Sequence, residues 1–170
     1  MSLTPFFMTE PVVQTHAVAA LLAIFLGPIA LYRTSRDRLH KLIGYVWVLA
    51  MALAIGTSFF IHHIALVGPF SPIHILSVLA AKSLWTGMAH IRRGRVNAHQ
   101  REMRSLYWTG LIVAGAFTFL PGRVFNRMLF PENAAWGYVV ICVITAAVVG
   151  RMIFLRQQDC ARRSDSNIFA

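Results

Sequence analysis

Acidic residues are scarce in this chain: Asp and Glu together number 6 against 16 Lys and Arg, for a formal charge of +10 over 170 residues. The six acids fall in expected loops and tails, so no carboxylate stands at membrane depth to complete a hydrolytic site. Cysteine is nearly absent. Cys142 and Cys160 form neither a disulfide framework nor a CxxC metal motif. The seven histidines include no HxxxH or HExxH spacing, which argues against a catalytic zinc helix. No internal repeat of useful length occurs. The opening MSLTPFFMTEP lacks the basic region and small-residue cleavage site of a signal peptide, so the first helix is expected to stay in the mature protein.

What the chain has in abundance is apolar sequence. It is 57% hydrophobic and 13% charged, too apolar for a soluble domain of this length and too short for two membrane domains. A membrane-crossing helix needs about 20 apolar residues. Five runs approach that length: 12–32, 40–63, 73–91, 103–120 and 135–155. The expected fold is therefore all-α: a single transmembrane domain built as a helical bundle of five spans, a four-helix core plus one, with residues 156–170 as a polar tail. No room remains for a soluble catalytic domain.

Placement of charge orients the bundle. Arg33, Arg36, Arg38 and Lys41 lie between the first two runs. Arg92, Arg93, Arg95, Arg101 and Arg104 lie between the third and fourth, and Arg151, Arg156, Arg162 and Arg163 close the fifth. The alternate side carries Arg123 and Arg127. Positive loops stay cytoplasmic, so the N-terminus is expected outside and the C-terminus inside, as five spans require. The same placement turns the basic charge toward a lipid bilayer and away from nucleic acid. The expected location is a bacterial inner membrane.

Punctuation sharpens the boundaries. Pro11 opens the first helix, and Gly27-Pro28 predicts a kink near its inner end. Asn97 is a candidate N-cap for the fourth helix. Pro121-Gly122 closes that helix, and FNRMLF reads as a short interfacial helix. The helical glycines suit close helix packing or a wall against a flat cofactor. Trp47, Trp85, Trp108 and Trp136, with Tyr32, Tyr45, Tyr107 and Tyr138, read as an aromatic belt.

The histidines sort by depth. At 1.5 Å per residue, His16 and His74 both stand ~24 Å above the inner ends of their helices. His62 and His63 lie nearer the outer water. His40, His90 and His99 mark the inner ends. Two layers result, and a bis-histidine haem needs two imidazoles facing each other at one depth. His16 with His74 form the outer candidate pair, and His40 with His99 the inner, with His62, His63 and His90 as auxiliaries. Interfacial histidines tolerated at headgroup level are the bland alternative. A zinc or copper ion held by the outer histidines is another.

Lys82 stands mid-run in 73–91, where a charge is costly and marks a functional candidate by default. It either bonds Ser77 or Thr118, pairs with an anion such as a haem propionate or a quinone oxygen, or snorkels to an interface. Arg123 is a second candidate for a propionate or a lipid headgroup.

His16, the HKLIGYVWV opening of helix two, the HxxxMR pattern from His99 to Arg104 and the PGR after helix four resemble a family of predicted bacterial multi-pass membrane proteins labelled as a domain of unknown function. The resemblance covers roughly residues 12–130. HKL stands here where that family often has His-Arg, and HQREM where it has HRxWM. The two-layer histidine layout is also similar to cytochrome b561 proteins, in which paired histidines hold two haems b. That resemblance implies a haem-binding protein of transmembrane electron transfer with a redox partner or quinone. An enzyme of this kind is a membrane oxidoreductase. The alternatives are a cofactor-free scaffold or assembly factor, and a small transporter or metal-binding membrane protein using Lys82 and the histidines.

Cysteine-accessibility labelling checks the topology. Cysteines placed at Arg36, Arg95 and Asp165 are expected to label from the cytoplasm, and those at Gly68 and Phe130 from outside. The reverse pattern, or an even number of spans, overturns the charge argument.

Overall fold

A computed structural model of the chain describes residues 4–61 and 72–168, and every described element is helical. A single turn, α1 (Thr4–Phe7), precedes α2 (Pro11–Tyr32), α3 (Arg38–Ser58) and α4 (Pro72–Arg92). The next ascent is composite: α5 (Val96–Ser105), a π-helical stretch Leu106–Ile112, α6 (Val113–Ala116) and a 3-10 turn Phe117–Phe119. α7 (Val124–Leu129) and the long α8 (Trp136–Ile168) complete the chain.

The first membrane-length helix is small-residue inside and large-residue outside. α2 buries Ala17, Ala19, Ala23, Gly27 and Ala30, while Phe25 is 72% exposed. α3 buries Trp47, Ala50, Met51, Ala54 and Ser58 and turns Leu42 and Tyr45 outward. In lipid the tails are as apolar as leucine, so close backbone approach through small residues replaces hydrophobic burial as the basis of packing. Three described helical stretches are long and apolar enough to cross a membrane: Pro11–Tyr32, Arg38–Ser58 and Trp136–Phe154. α4 has the length, but Lys82 and its histidines keep it below them in hydropathy.

α2 and α3 pack antiparallel, and α4 and α5 form a second antiparallel pair. α3 touches α4, and α2 touches the α5–π ascent, which closes a four-membered ring. Among the described residues, α2 and α4, like α3 and α5, therefore stand diagonally. α8 leans on α6 and the turns around it, and buries Val148 and Gly137.

The centre of the ring is set by a proline. α2 runs on through Gly27-Pro28. Pro28 has no N–H, so the Ile24 carbonyl four residues earlier loses its helical donor. The Tyr107 hydroxyl donates to that carbonyl at 3.1 Å. Gly27 makes the approach feasible: a Cβ there would collide with the Tyr107 ring. One step up, the Trp47 indole N–H donates to the Ala23 carbonyl at 2.9 Å. Tyr107 and Trp47 thus bind successive carbonyls of α2, and Met51, Leu84, Met103, Leu106 and Leu111 fill the space around them.

Several boundaries differ from the sequence reading. Helix two ends at Ser58, short of 63, because its last hydroxyls turn back on the backbone. Thr57 donates to Leu53 and Ser58 to Ile55, and Ser58 also reaches the Ser77 hydroxyl at 2.7 Å. The fourth ascent starts at Val96 with Arg95 as its cap, so Asn97 falls inside the first turn. Gly94, at φ +70, makes the tight turn before it. α8 continues past residue 155 to Ile168, through the segment expected as a polar tail. The short helix expected at FNRMLF is present as α7. Its Asn126 is fully buried, and the amide donates to Phe119 and Ala134 carbonyls at 2.7 and 2.9 Å.

A double-mutant cycle tests the central contact. Tyr107→Phe leaves the Ile24 carbonyl buried without a donor and is expected to cost about 1–3 kcal/mol in thermal or denaturant unfolding. In a Pro28→Ala background the restored N–H satisfies the same carbonyl, and the Tyr107→Phe cost is expected to shrink by about 1 kcal/mol. Additive losses would show that the two groups are not coupled.

Candidate functional site

The histidines separate into two groups at opposite ends of the bundle. At the end away from the arginines, His16 on α2 reaches α3. Its Nδ1 lies 2.9 Å from the Ala54 carbonyl and 3.1 Å from the Thr57 hydroxyl. A carbonyl only accepts, so Nδ1 carries the proton. In the neutral ring Nε2 is then the bare nitrogen. His74, early on α4, stacks at a tilt on Phe59, the C-cap of α3, with ring centroids 6.0 Å apart. Ala54, Thr57 and Phe59 span about 8 Å of helix axis. His16 thus meets the last turns of α3, and His74 meets its C-cap. His62 and His63 lie outside the described residues.

At the arginine-rich end, His99 on α5 repeats the arrangement. Its Nδ1 donates to the Gly87 carbonyl of α4 at 2.8 Å, again leaving Nε2 bare in the neutral ring. His90 follows Gly87 by one turn of α4, and its Nδ1 is buried without a partner. His40 opens α3, and its Nδ1 is likewise buried and unpartnered. His40 is held in place by the chain before it. The Asp37 carboxylate caps α3 by accepting from the His40 backbone N–H at 2.9 Å, and pairs with Arg33 at 2.7 Å. The Arg33 hydrogen bond, with the His40 N–H next, holds the Asp37 carboxyl at about 2, below its ordinary 3.8.

Lys82 departs from expectation. α4 buries Ser77, Leu84 and Gly87, and Lys82 lies off that stripe with its side chain exposed. At 100° per residue, it sits 140° or more around the helix from both Ser77 and Leu84. The two hydroxyls considered as its partners are otherwise engaged: Ser77 shares a hydroxyl–hydroxyl hydrogen bond with Ser58, and Thr118 donates to the Gly115 carbonyl at 2.6 Å. The structure does not bring Lys82 toward the histidines. Arg123 is the N-cap residue of α7, beyond the composite ascent. A groove of about 410 Å³ between α1, α2 and α3, lined by Phe6, Gln14, Leu22 and Leu49 among others, contains no histidine. Among the described residues, no three His, Cys, Asp or Glu side chains converge to hold a metal ion. A zinc or copper centre of three or more such ligands is thus not assembled by these residues.

Sequence reasoning missed a polar cluster at the arginine-rich end. The Tyr32 oxygen, at the end of α2, accepts from the Trp108 indole at 2.8 Å and from the Arg151 guanidinium at 3.0 Å. Arg151 also lies 4.6 Å over the Trp108 ring, and Arg104 lies 5.3 Å over the Tyr32 ring. In sequence the aromatics read as a belt and the arginines as topology signals alone. The usable signal was the i, i+4 spacing of Arg104 and Trp108, which places them on one helix face.

A family model described as "Predicted membrane protein (DUF2306)" matches residues 13–156. No curated protein and no solved structure matches the chain.

The Asp37 cap predicts a pH dependence. Its folded pKa is depressed, so the unfolded chain binds more protons between about pH 4 and 2. Its stabilising contribution is complete above that window and lost as pH falls through about 2. Asp37→Asn keeps a capping oxygen and removes the charge. It is expected to flatten the melting temperature against pH across this window, and an unchanged slope would refute the assignment.

Proposed function

We propose, from the premise that the chain belongs to the predicted membrane protein family DUF2306, that it is a haem b-binding protein of transmembrane electron transfer. In this reading it sits in a bacterial inner membrane as five spans, with the arginine-rich end cytoplasmic. The observation that carries the reading is shared by His16 and His99. Each commits its Nδ1–H to a main-chain carbonyl on a neighbouring helix, at 2.9 and 2.8 Å. Histidines that ligate metal almost always have the second nitrogen fixed in this way, which sets the ring orientation and leaves the other nitrogen basic.

Two pairs of histidines would hold the group. His16 and His74 come from the diagonal helices α2 and α4, both against the end of α3. His40 and His99 come from the other diagonal, α3 and α5, at the opposite end. The Nδ1 of His40 is buried and unpartnered, and so is that of His90, which would stand as a second donor beside His99. Iron held between two imidazoles supplies one-electron chemistry, and two such groups would carry charge from one membrane face to the other. The chain's own contribution is to orient the imidazoles and to exclude water between the layers with Trp47, Met51, Leu84 and Leu106. Lys82 faces away from this core, so the transporter alternative loses its central residue. A quinone remains the natural class of lipid-soluble partner.

Detergent-purified protein, expressed with adequate haem supply, is expected to be red, with a Soret band and the sharp reduced α-band of bis-histidine ligation. His16→Ala and His99→Ala are each expected to halve the haem content while leaving the other centre intact. A colourless preparation, free of haem and metal by elemental analysis, would instead favour a cofactor-free scaffold or assembly factor.

A further inference from the structure

The polar cluster around Tyr32 is electrically incomplete. Two guanidiniums converge on one phenol, Arg104 above the ring and Arg151 on the oxygen. Among the described residues neither is paired with a carboxylate. The nearby acid, Asp37, is engaged by Arg33. The Arg104 Nε is buried with no acceptor, an unmet donor on a charged group. Leaving such a donor unsatisfied is costly, and like charges set side by side add to the cost. An acceptor oxygen with negative charge, reached through the terminal nitrogens, offsets the cost of the like charges.

The geometry points to a binding site for one phosphodiester of an anionic membrane lipid, held by Arg104 and Arg151 against Tyr32 and Trp108. Guanidinium forks match phosphate oxygens in shape, and are the side chains used wherever bidentate recognition is needed. Stacking on aromatic rings fixes the two forks in place, so little further ordering is required on binding. Tyr32 ends α2, one residue before the basic loop that starts at Arg33, which puts the cluster at the headgroup level of the arginine-rich face. Trp and Tyr favour that level, with an apolar body and a polar tip. The Tyr32 oxygen already accepts from both Trp108 and Arg151, so its own proton is free to donate to a phosphate oxygen. The site draws on α2, the α5–π ascent and α8, so an occupied site joins α8 to the ring.

The test is thermal unfolding of the full chain in neutral detergent micelles doped with phosphatidylglycerol, phosphatidylcholine or inorganic phosphate. Phosphatidylglycerol is expected to raise the melting temperature by mass action, with phosphatidylcholine and inorganic phosphate giving little. Arg104→Gln and Arg151→Gln are each expected to weaken the apparent phosphatidylglycerol affinity roughly tenfold. Tyr32→Phe is expected to weaken it less. Arg93→Gln, an exposed cation at the same end, serves as control and is expected to leave it unchanged. If Arg104→Gln or Arg151→Gln does not fold, Arg151→Lys keeps the charge, loses the fork and is expected to show an intermediate affinity. Equal stabilisation by both lipids, retention of the preference in both Gln variants, or an equal loss in Arg93→Gln would overturn the site. Stabilisation by inorganic phosphate equal to that by phosphatidylglycerol would overturn the lipid assignment in favour of a free anion. None of these readouts depends on haem, so the site and the electron-transfer reading fail separately.

Discussion

A single hydrogen bond sets the geometry of the ring: the Tyr107 hydroxyl on the Ile24 carbonyl that Pro28 leaves bare. Backbone polar groups away from water must be satisfied within the protein, and a proline inside a membrane helix is tolerated only where a neighbour supplies the missing donor. That requirement ties α2 to the fourth ascent at one height and in one rotation. Gly27 clears the space, and Trp47 fixes α3 to α2 one carbonyl away. Once these two aromatic donors are placed, His16 comes to the end of α3 and Tyr32 to the side of Trp108.

The π-helical stretch Leu106–Ile112 follows from the same constraint. Tyr107 and Trp108 are consecutive, yet both must reach α2, one at Ile24 and the other at Tyr32. The two rings stand edge to face at 5.4 Å and spread toward targets about 12 Å apart along α2. Widening the turn places successive side chains closer to one face than α-geometry does. π-turns occur mostly as insertions of this kind and often at functional positions.

Much of this architecture is legible in the residues, for stated reasons. Apolar runs and proline punctuation mark α2, α3 and α4. The depth count puts His16 and His74 toward the same end, where both meet the end of α3, because rise per residue is a fixed quantity and helix ends are marked by charge. Rotation about a helix axis is far less legible when nearly every residue is apolar, since apolar residues stand on the buried and the outer face alike. That is why Lys82 reads as central in the sequence and stands on the outside of α4. It is also why the π-turn is invisible to a search for a 3.6-residue period. The Tyr32 cluster joins residues 32, 104, 108 and 151, and only the assembled ring brings such distant positions together.

α8 contributes little to the packed centre, burying Val148 and Gly137 along its apolar stretch. Arg151 adds a second kind of hold, bridging Tyr32 and the Trp108 face. Val148 lies one turn before Arg151, so an apolar contact and a cationic one act together at the basic end, while Gly137 closes on the Phe119 carbonyl at the other. Removing the Arg151 contact would strip Tyr32 of one donor and uncover the indole of Trp108, so the seating of the outermost helix is written into the rotamers of two aromatic residues on its neighbours.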